Sequence, residues 1–378
     1  MRVAIFGPTF PIRGGISHYT TILVEHLRKK HEVLFISYKK QYPDFLYPGR
    51  SQIDPSEVSL STDCERIFSF TNPFSWFKAA RRAFEFNPEI VLFSWVSPAL
   101  AIQFRIISGL IKRKLPAAKI VFLCHNVAMH EERKIDIALS RFAFKHSDHF
   151  IVHGHESKDN LLRLVPDSTV SVVGLPTYEP LSRVSKEYKK NAREKLSIGD
   201  EDQVILFFGF VRPYKGLSYL LRAVPIALKE VRNLFVLVVG EFWEGKNEYE
   251  KLVEELGIGS IVRIIDRYVP NEELSLCFGA SDVVVLPYTQ ASGSAIVQLA
   301  YGFDKPVITT MVGDIPEAVE QGKTGFLVEP ENSESLAKAI VRFFSEKKAE
   351  EFRENIRQAR ERFSWDNLVR CIEQIAKG

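Results

Sequence analysis

The sequence predicts an α/β protein of two doubly wound, parallel-sheet domains. Three observations carry this: a length of 378 residues, apolar β-rich runs alternating with helical patterns from start to end, and a Pro/Gly-marked break near the middle. A chain of this length exceeds one ordinary domain and fits two, each large enough for its own core. Regular alternation of strands and helices is the signature of parallel sheets built from βαβ units.

In the first half the strand candidates are Val3–Gly7, Val33–Ser37, Ile90–Ser94, Ile120–Leu123, Phe150–Val152 and Val170–Val173. In the second they are Ile205–Phe208, Phe235–Val239, Val262–Ile265, Val283–Leu286, Val307–Thr309 and Phe326–Val328. Between them Gly174, Pro176 and Pro180 block continued helix or central strand, so a hinge is expected there. The expected domains are 1–176, 177–360 and a terminal helix over 361–378 that crosses back to the first domain. That helix carries Trp365, Leu368, Val369, Ile372 and Ile375 on one face and needs a surface to cover; Ser364 or Asp366 is its candidate cap. The segment Tyr38 to Asp63, rich in Tyr, Pro, Ser and Asp, reads as an irregular excursion and a candidate loop over the ligand cleft.

Composition excludes several classes. With 46% hydrophobic and 26% charged residues and no low-complexity tract, the whole chain is expected to fold. The opening Met1–Phe6 is strand-like and lacks the pattern of a signal peptide, so export is not expected. The stretch Ala99 to Leu115 is interrupted by Gln103, Arg105, Lys112, Arg113 and Lys114, and so does not supply the about 20 apolar residues of a membrane span. Cys64, Cys124, Cys277 and Cys371 form no CxxC pair, which argues against a disulfide framework or thiolate zinc site and suits a reducing cytoplasm. Net charge is +3, but residues 1–178 hold 23 Lys/Arg against 16 Asp/Glu and the remainder 27 against 31, giving halves of +7 and −4. The basic half suits an anionic partner such as an acidic substrate or lipid headgroups; nothing in the sequence points to nucleic acid.

Candidate chemistry sits where strands run into helices. Ser292, Gly293 and Ser294 occupy the turn after Val283–Leu286, at a helix N-terminus whose unpaired amides and positive dipole end suit a phosphate. Gln290 precedes that turn and Gln298 lies on the new helix, so both can face one ligand. Arg212 and Lys215, in Gly209–Gly216 after Ile205–Phe208, are placed to bracket a diphosphate, the arginine as a fork and the lysine as a point charge. A third turn, Gly7 to Ser17, carries Gly14 and Gly15, which permit close backbone approach to a ligand. It is not GxGxxG and no acidic ribose ligand follows, which argues against a dehydrogenase. His125 and Asn126 follow Ile120–Leu123, where a histidine can hydrogen-bond a hydroxyl or move a proton. His146, His149, His153 and His155 lack HExxH spacing and a carboxylate set, so no metal site is expected, and Asp200-Glu201-Asp202 precedes a strand and reads as a solvated turn.

Four stretches together carry a resemblance: Gly209 to Gly216, Leu237 to Glu241, Ala280 to Val307, and Val312 to Glu317 followed by Gly322 to Phe326. In order and spacing the chain resembles the retaining, two-domain nucleotide-sugar glycosyltransferases of GT-B architecture, of the bacterial and archaeal group 1 type. The likeness covers nearly the whole chain and is densest from Val204 to Val328. It implies two Rossmann-like domains facing across a cleft, and a hexosyltransferase-type enzyme acting from a nucleotide-sugar donor on a glycan or lipid-linked acceptor, with no cofactor. By the same likeness Arg212 and Lys215 contact the diphosphate and the amides near Gly293 and Ser294 its distal phosphate. Gln298 meets the ribose, Gly15 closes over the phosphates from the first domain, and His125 lies beside the transferred sugar.

Two departures bear on mechanism. The family carries two glutamates where this chain has Gln290 and Gln298, and an arginine where it has Phe210. Glutamine is no carboxylate nucleophile, so a double displacement through residue 290 is excluded. Same-face attack, with the leaving diphosphate oxygen taking the acceptor proton and Arg212 and Lys215 stabilising its charge, is expected to retain configuration without a metal. The rival is a catalytically silent nucleotide-sugar-binding protein of the same fold; an epimerase or phosphorylase lacks its fingerprint here. Trp76 to Phe84 and Ile106 to Leu115 are basic and aromatic, either resting on an anionic membrane at its cytoplasmic face or packed as amphipathic helices on the sheet.

Overall fold

The computed structural model describes residues 1–43, 47, 49–57, 60–127, 134–181 and 188–378. It divides into two compact units: Met1–Pro55, Ser59–Gly174 and Ser364–Gly378 form the first, and Leu175–Phe363 with Ser56–Val58 the second. Apart from the short Ser56–Val58 excursion, the chain changes unit at Gly174/Leu175 and again at Phe363/Ser364.

In the first unit β1 (Arg2–Phe6), α1 (Gly15–Arg28), β2 (Glu32–Lys40) and β3 (Glu65–Ser69) are followed by α2 (Pro73–Phe86) and β4 (Ile90–Trp95). Next come α3 (Ala101–Lys114), β5 (Lys119–Cys124), α4 (Lys134–Phe144), β6 (His149–Val152), α5 (His155–Leu164) and β7 (Val170–Val172). The described strands form a parallel sheet of order β3-β2-β1-β4-β5-β6-β7. Strands such as β4, buried at every position, read as unbroken apolar runs because both faces are covered. Phe6, Phe93, Phe104, Phe122, Phe144 and Trp95 interlock on the face that α2, α3 and α4 cover.

The second unit opens with α6 (Tyr188–Lys195), β8 (Gln203–Phe208), α7 (Leu217–Ala227), β9 (Leu234–Val239), α8 (Lys246–Glu255), β10 (Val262–Ile265) and α9 (Asn271–Ala280). It continues with β11 (Val283–Leu286), α10 (Ala295–Gly302), β12 (Val307–Thr310), α11 (Ile315–Ala318), β13 (Gly325–Val328), α12 (Ser333–Ser345) and α13 (Ala349–Ala359). Its described sheet is parallel in the order β10-β9-β8-β11-β12-β13, with Val283 beside Ile205 and Val284 beside Val307. Finally α14 (Trp365–Lys377) packs on α1, burying Trp365, Leu368, Val369, Ile372 and Ile375. Trp365 lies against Tyr19 at 4.9 Å between ring centroids, and His31 Nε2 meets Glu373 Oε1 at 2.8 Å.

Three sequence expectations are corrected. β3 was not among the strand candidates: it is an edge strand whose two buried residues, Ile67 and Phe68, are flanked by Glu65 and Arg66, too few to stand out as an apolar run. Tyr38 is no loop residue, because β2 runs on to Lys40 by pairing with β3 and buries Tyr38 in the core. Of the expected excursion, residues 44–46, 48, 58 and 59 lie outside the described residues. The part around Gln52–Asp54 pairs with the loop after β1, through Arg13 N–H to Gln52 O (3.0 Å), Asp54 N–H to Pro11 O (2.8 Å) and an Ile12–Ile53 bridge. The cap of α14 also differs, since Ser364 holds the cap position but its side chain makes no capping bond.

A polar cluster pins the base of the second sheet. Asp282 takes Val204 N–H (2.8 Å), Arg193 Nη2 (3.0 Å) and Lys189 Nζ (2.8 Å), while buried Lys305 donates to Ser281 O at 2.7 Å. Burial pulls the Lys305 pKa from 10.5 down to about 7 against the attraction of Asp282. Between those values the unfolded chain holds the proton that the folded one has released, so stability rises with pH across that window. In urea titrations the wild type should gain about 2 to 3 kcal/mol relative to Lys305→Met between about pH 7 and about pH 9. Parallel pH curves for the two proteins would contradict a depressed Lys305.

Candidate functional site

In an open parallel sheet, ligands bind outside the carboxyl ends of the strands where the strand order reverses. In the second unit that point lies between β8 and β11, and the loops 209–216 and 287–294 leave the sheet there. Glycines bring these loops into backbone contact. A Cβ on Gly216 (φ 70°) would stand 1.8 Å from Pro287 O, and one on Gly240 (φ 153°) 1.8 Å from Gly209 O. On Gly313 (φ 54°) it would stand 1.7 Å from Ala291 O. Backbone bonds close the same seams: Thr289 N–H to Tyr214 O (2.9 Å), Val211 N–H to Glu241 O (2.9 Å) and Asp314 N–H to Ser292 O (3.3 Å).

On this platform the two predicted cations come together. Arg212 stacks its guanidinium over Tyr214 (5.1 Å) and Trp243 (5.4 Å), and its buried Nε has no hydrogen-bond partner among the described residues. Lys215 Nζ donates to Tyr288 Oη at 2.8 Å and lies 4.0 Å from that ring's centroid. Both side chains are half-buried, and neither pairs with a carboxylate among the described residues. Burial lowers the Lys215 pKa, Tyr214 opposes this, and the charge on Arg212 adds to it. Two desolvated cations with no acidic partner form a seat for a multiply charged anion.

Tyr288 ties this clamp to the turn before α10. Burial raises its pKa, so the phenol stays protonated. With Lys215 donating to Oη, the Tyr288 O–H can donate to Ser294 Oγ at 3.4 Å, and Ser294 caps α10 by accepting Val297 N–H at 3.4 Å. Ser292 is half-buried and Gly293 exposed; Gly293 has no positive φ, and a Cβ there would meet no atom within 4 Å, so its lack of a side chain leaves open space rather than relieving a clash. The two glutamines differ in setting. Gln290 is exposed, whereas Gln298, the fourth residue of α10, is 1% exposed with its Oε1 unpartnered among the described residues.

In the first unit the order reverses between β1 and β4, so the loops after β1, β4 and β5 line the corresponding edge. Gly14 (φ 117°) caps α1 and Gly15 is its first residue; a Cβ on Gly14 would meet no atom within 4 Å. His125 follows β5, its N–H bonded to Trp95 O (3.0 Å) and its Nε2 3.0 Å from Ser94 Oγ. Its ring stands edge-on to Tyr19 at 4.6 Å and 5.7 Å from His153. Burial, aided by His153, holds its pKa well below the ordinary value. His125 is thus a neutral hydrogen-bonding imidazole at physiological pH, not a source of positive charge.

Two of the other histidines serve local roles: His149 Nε2 meets Ser171 Oγ (2.8 Å), and His153 Nδ1 donates to Val173 O (2.9 Å). Among the described residues no group of three or more His, Cys, Asp or Glu is placed to hold a metal ion. Asp202 accepts Gly199 N–H at 2.7 Å, a turn contact. No described helix is long and apolar enough to cross a membrane. Sequence reasoning gave no role to Tyr288 or Trp243. The signal for Tyr288 was its place one residue past Pro287, where a strand ends; Trp243 had none beyond its nearness to Gly240.

Comparison with known proteins follows the same division. Residues 188–362 match the family model described as glycosyl transferases group 1, and 13–175 match glycosyltransferase family 4. An uncharacterized glycosyltransferase of Methanocaldococcus jannaschii is 28% identical over 216 residues, 56% of this chain and 55% of that protein. A D-inositol 3-phosphate glycosyltransferase of Streptomyces avermitilis is 31% identical over 246 residues, 61% of this chain and 51% of its own. The chain thus spans about half the length of the curated relatives it matches. Among solved structures, Anabaena HepE in complex with UDP and glucose superposes with a TM-score of 0.78 at 16% identity, covering 100% of this chain and 99% of that one. Sucrose-phosphate synthase from Thermosynechococcus elongatus gives 0.74 at 17%, covering 100% and 98%. At these identities the likeness is one of fold, and the two Rossmann-like units are those of GT-B.

The clamp geometry makes a direct prediction. Lys215→Ala should weaken pyrophosphate binding about 10- to 100-fold by calorimetry while changing unfolding free energy by less than about 1.5 kcal/mol. Equal affinity in the variant would remove Lys215 from the anion seat.

Proposed function

This chain belongs to the group 1 glycosyl transferases, and on that premise we propose that it moves a hexosyl group from a nucleoside-diphosphate sugar to a glycan or lipid-linked acceptor, retaining anomeric configuration without a metal. The observation that carries the reading is the pair Arg212 and Lys215, desolvated and without a carboxylate partner among the described residues, at the reversal of the second sheet. A diphosphate supplies the charge such a pair lacks.

In this reading the bond between the anomeric carbon and the diphosphate oxygen breaks, and a bond from that carbon to the acceptor oxygen forms on the same face. The acceptor proton passes to the departing diphosphate oxygen. Arg212 and Lys215 oppose the negative charge that grows there. The amides of Ser292, Gly293 and Ser294 and the Gly14–Gly15 turn are assigned to phosphate oxygens. Gln298, buried with an unsatisfied carbonyl oxygen, is assigned to the ribose hydroxyls, where a donor would offset the cost of that orphan. Gln290 is assigned to the donor without acting as a nucleophile, and neutral His125 to a sugar hydroxyl. The complex of the Anabaena protein with UDP and glucose supports starting with UDP sugars. A peripheral contact with an anionic membrane belongs to the same reading, as the route to a lipid-linked acceptor.

The test is transfer from UDP, GDP and ADP sugars with and without chelator, the product anomer read by NMR. Expected is release of nucleoside diphosphate that chelator leaves unchanged and a product of unaltered configuration. Inversion would remove the same-face mechanism, chelator sensitivity the metal independence, and tight nucleotide binding without release on any acceptor would favour a silent binding protein. His125→Asn should slow transfer about 10- to 100-fold with the unfolding midpoint kept. Because His125 is held neutral, the rate should show no step from its ionisation between about pH 6 and about pH 8.

A further inference from the structure

The first unit leaves large apolar side chains in water on one side of its sheet. Helices α2, α3 and α4 pack side by side and cover one face of that sheet with a shared core. Their inner stripes, such as Trp76, Ala79, Ala80 and Ala83 of α2, are buried as an amphipathic helix requires. Their outer stripes are not uniformly polar. Phe74 is 84% exposed and Phe77 53% on α2, Ile102 53% on α3, and Phe142 47% on α4. In the second unit Met311 is the only large hydrophobic so exposed among the described residues. Apolar exposure grouped this way marks an interaction surface.

Charge selects the partner. The helix sequences carry three basic residues and one acid in α2, four and none in α3, and two and one in α4, nine cations against two anions. Arg82 and Lys112 are paired with Glu65 and Asp148, and Arg81 with Glu85. Lys78, Arg105 and Arg113 have no carboxylate partner among the described residues, and Arg105 spreads over the Phe142 ring at 5.3 Å, joining the α3 and α4 stripes. Exposed phenylalanines and cations without a carboxylate partner among the described residues, carried on helices lying flat on a sheet, suit an anionic bilayer, where rings enter the headgroup boundary and cations meet lipid phosphates.

We propose that the outer face of the α2–α3–α4 layer seats on an anionic lipid surface, with Phe74 and Phe77 inserted and Lys78, Arg105 and Arg113 facing phosphates. The position has a use. In a parallel sheet these helices all begin at the carboxyl edge, so Phe74, Phe77 and Ile102 lie toward the edge from which His125 projects after β5. A bilayer held there would present a lipid-linked acceptor to that edge. The surface rests on the preceding reading only for the presence of such an acceptor.

The test is sedimentation of the full chain with phosphatidylglycerol or phosphatidylcholine vesicles at low and high salt. The wild type should bind phosphatidylglycerol vesicles at low salt about tenfold more tightly than phosphatidylcholine ones. Phe74→Ser with Phe77→Ser, and separately Lys78→Glu with Arg113→Glu, should each weaken that binding about tenfold or more. These side chains are exposed, so unfolding midpoints and nucleoside-diphosphate affinity should not change. No binding by the wild type, or full binding by both variants, overturns the proposal. So does a dimer in ultracentrifugation that the Phe variant abolishes while vesicles go unbound, which would make the face a self-association surface. Vesicle binding without sugar transfer would keep the surface and overturn the reaction; transfer to soluble acceptors without vesicle binding would do the reverse.

Discussion

The second unit depends on backbone meeting backbone. At three seams along the carboxyl edge of its sheet, a glycine stands where any side chain would overlap a carbonyl oxygen of the next loop: Gly240 on Gly209, Gly216 on Pro287, Gly313 on Ala291. Loops that approach this closely cannot shift independently, because the neighbouring amides are already bonded across each seam. The usual objection to building a site on loops is that they move. Here they behave as one sheet-supported surface, and the side chains rooted in them inherit its rigidity.

That rigidity explains how two cations tolerate each other. Arg212 and Lys215 repel, and burial penalises the Lys215 charge. Aromatic faces from Tyr214, Trp243 and Tyr288 and one phenolic oxygen are what the protein supplies in return. Such contacts are worth about 0.5 to 2 kcal/mol each, less than a carboxylate partner would give, which leaves the pair available to a stronger anion. The Lys215–Tyr288–Ser294 relay also means that the cation side and the helix-cap side of the seat are positioned by one side chain.

Most of the architecture was legible from sequence because parallel strands buried on both faces announce themselves as unbroken apolar runs. Val262–Ile265 and Val283–Leu286 appear in the structure with the bounds read from sequence, and most other strands within a residue or two. β3 was not legible, since an edge strand needs only one apolar pair and Glu65 and Arg66 disguise it. At the candidate site, Arg212, Lys215 and the Ser292–Ser294 turn could be located by their position after strands. What they touch could not: Tyr288 lies 73 residues beyond Lys215, and no local pattern reports a contact made by two loops of a folded sheet. The contrast between exposed Gln290 and buried Gln298 was hidden for the same reason, since spacing on a helix gives a face but not the depth of its surroundings.

The helix α14 reaches α1 only after the chain has passed through the whole of the second unit. Trp365 on Tyr19 and Glu373 on His31 therefore join residues separated by some nine-tenths of the sequence. During synthesis the first sheet must wait, with the Tyr19 side of α1 uncovered, until residues 365–377 have left the ribosome. The first unit is accordingly not a module that a stop codon or a genetic cut after Gly174 could release intact: its buttress is encoded only after the whole of the second unit.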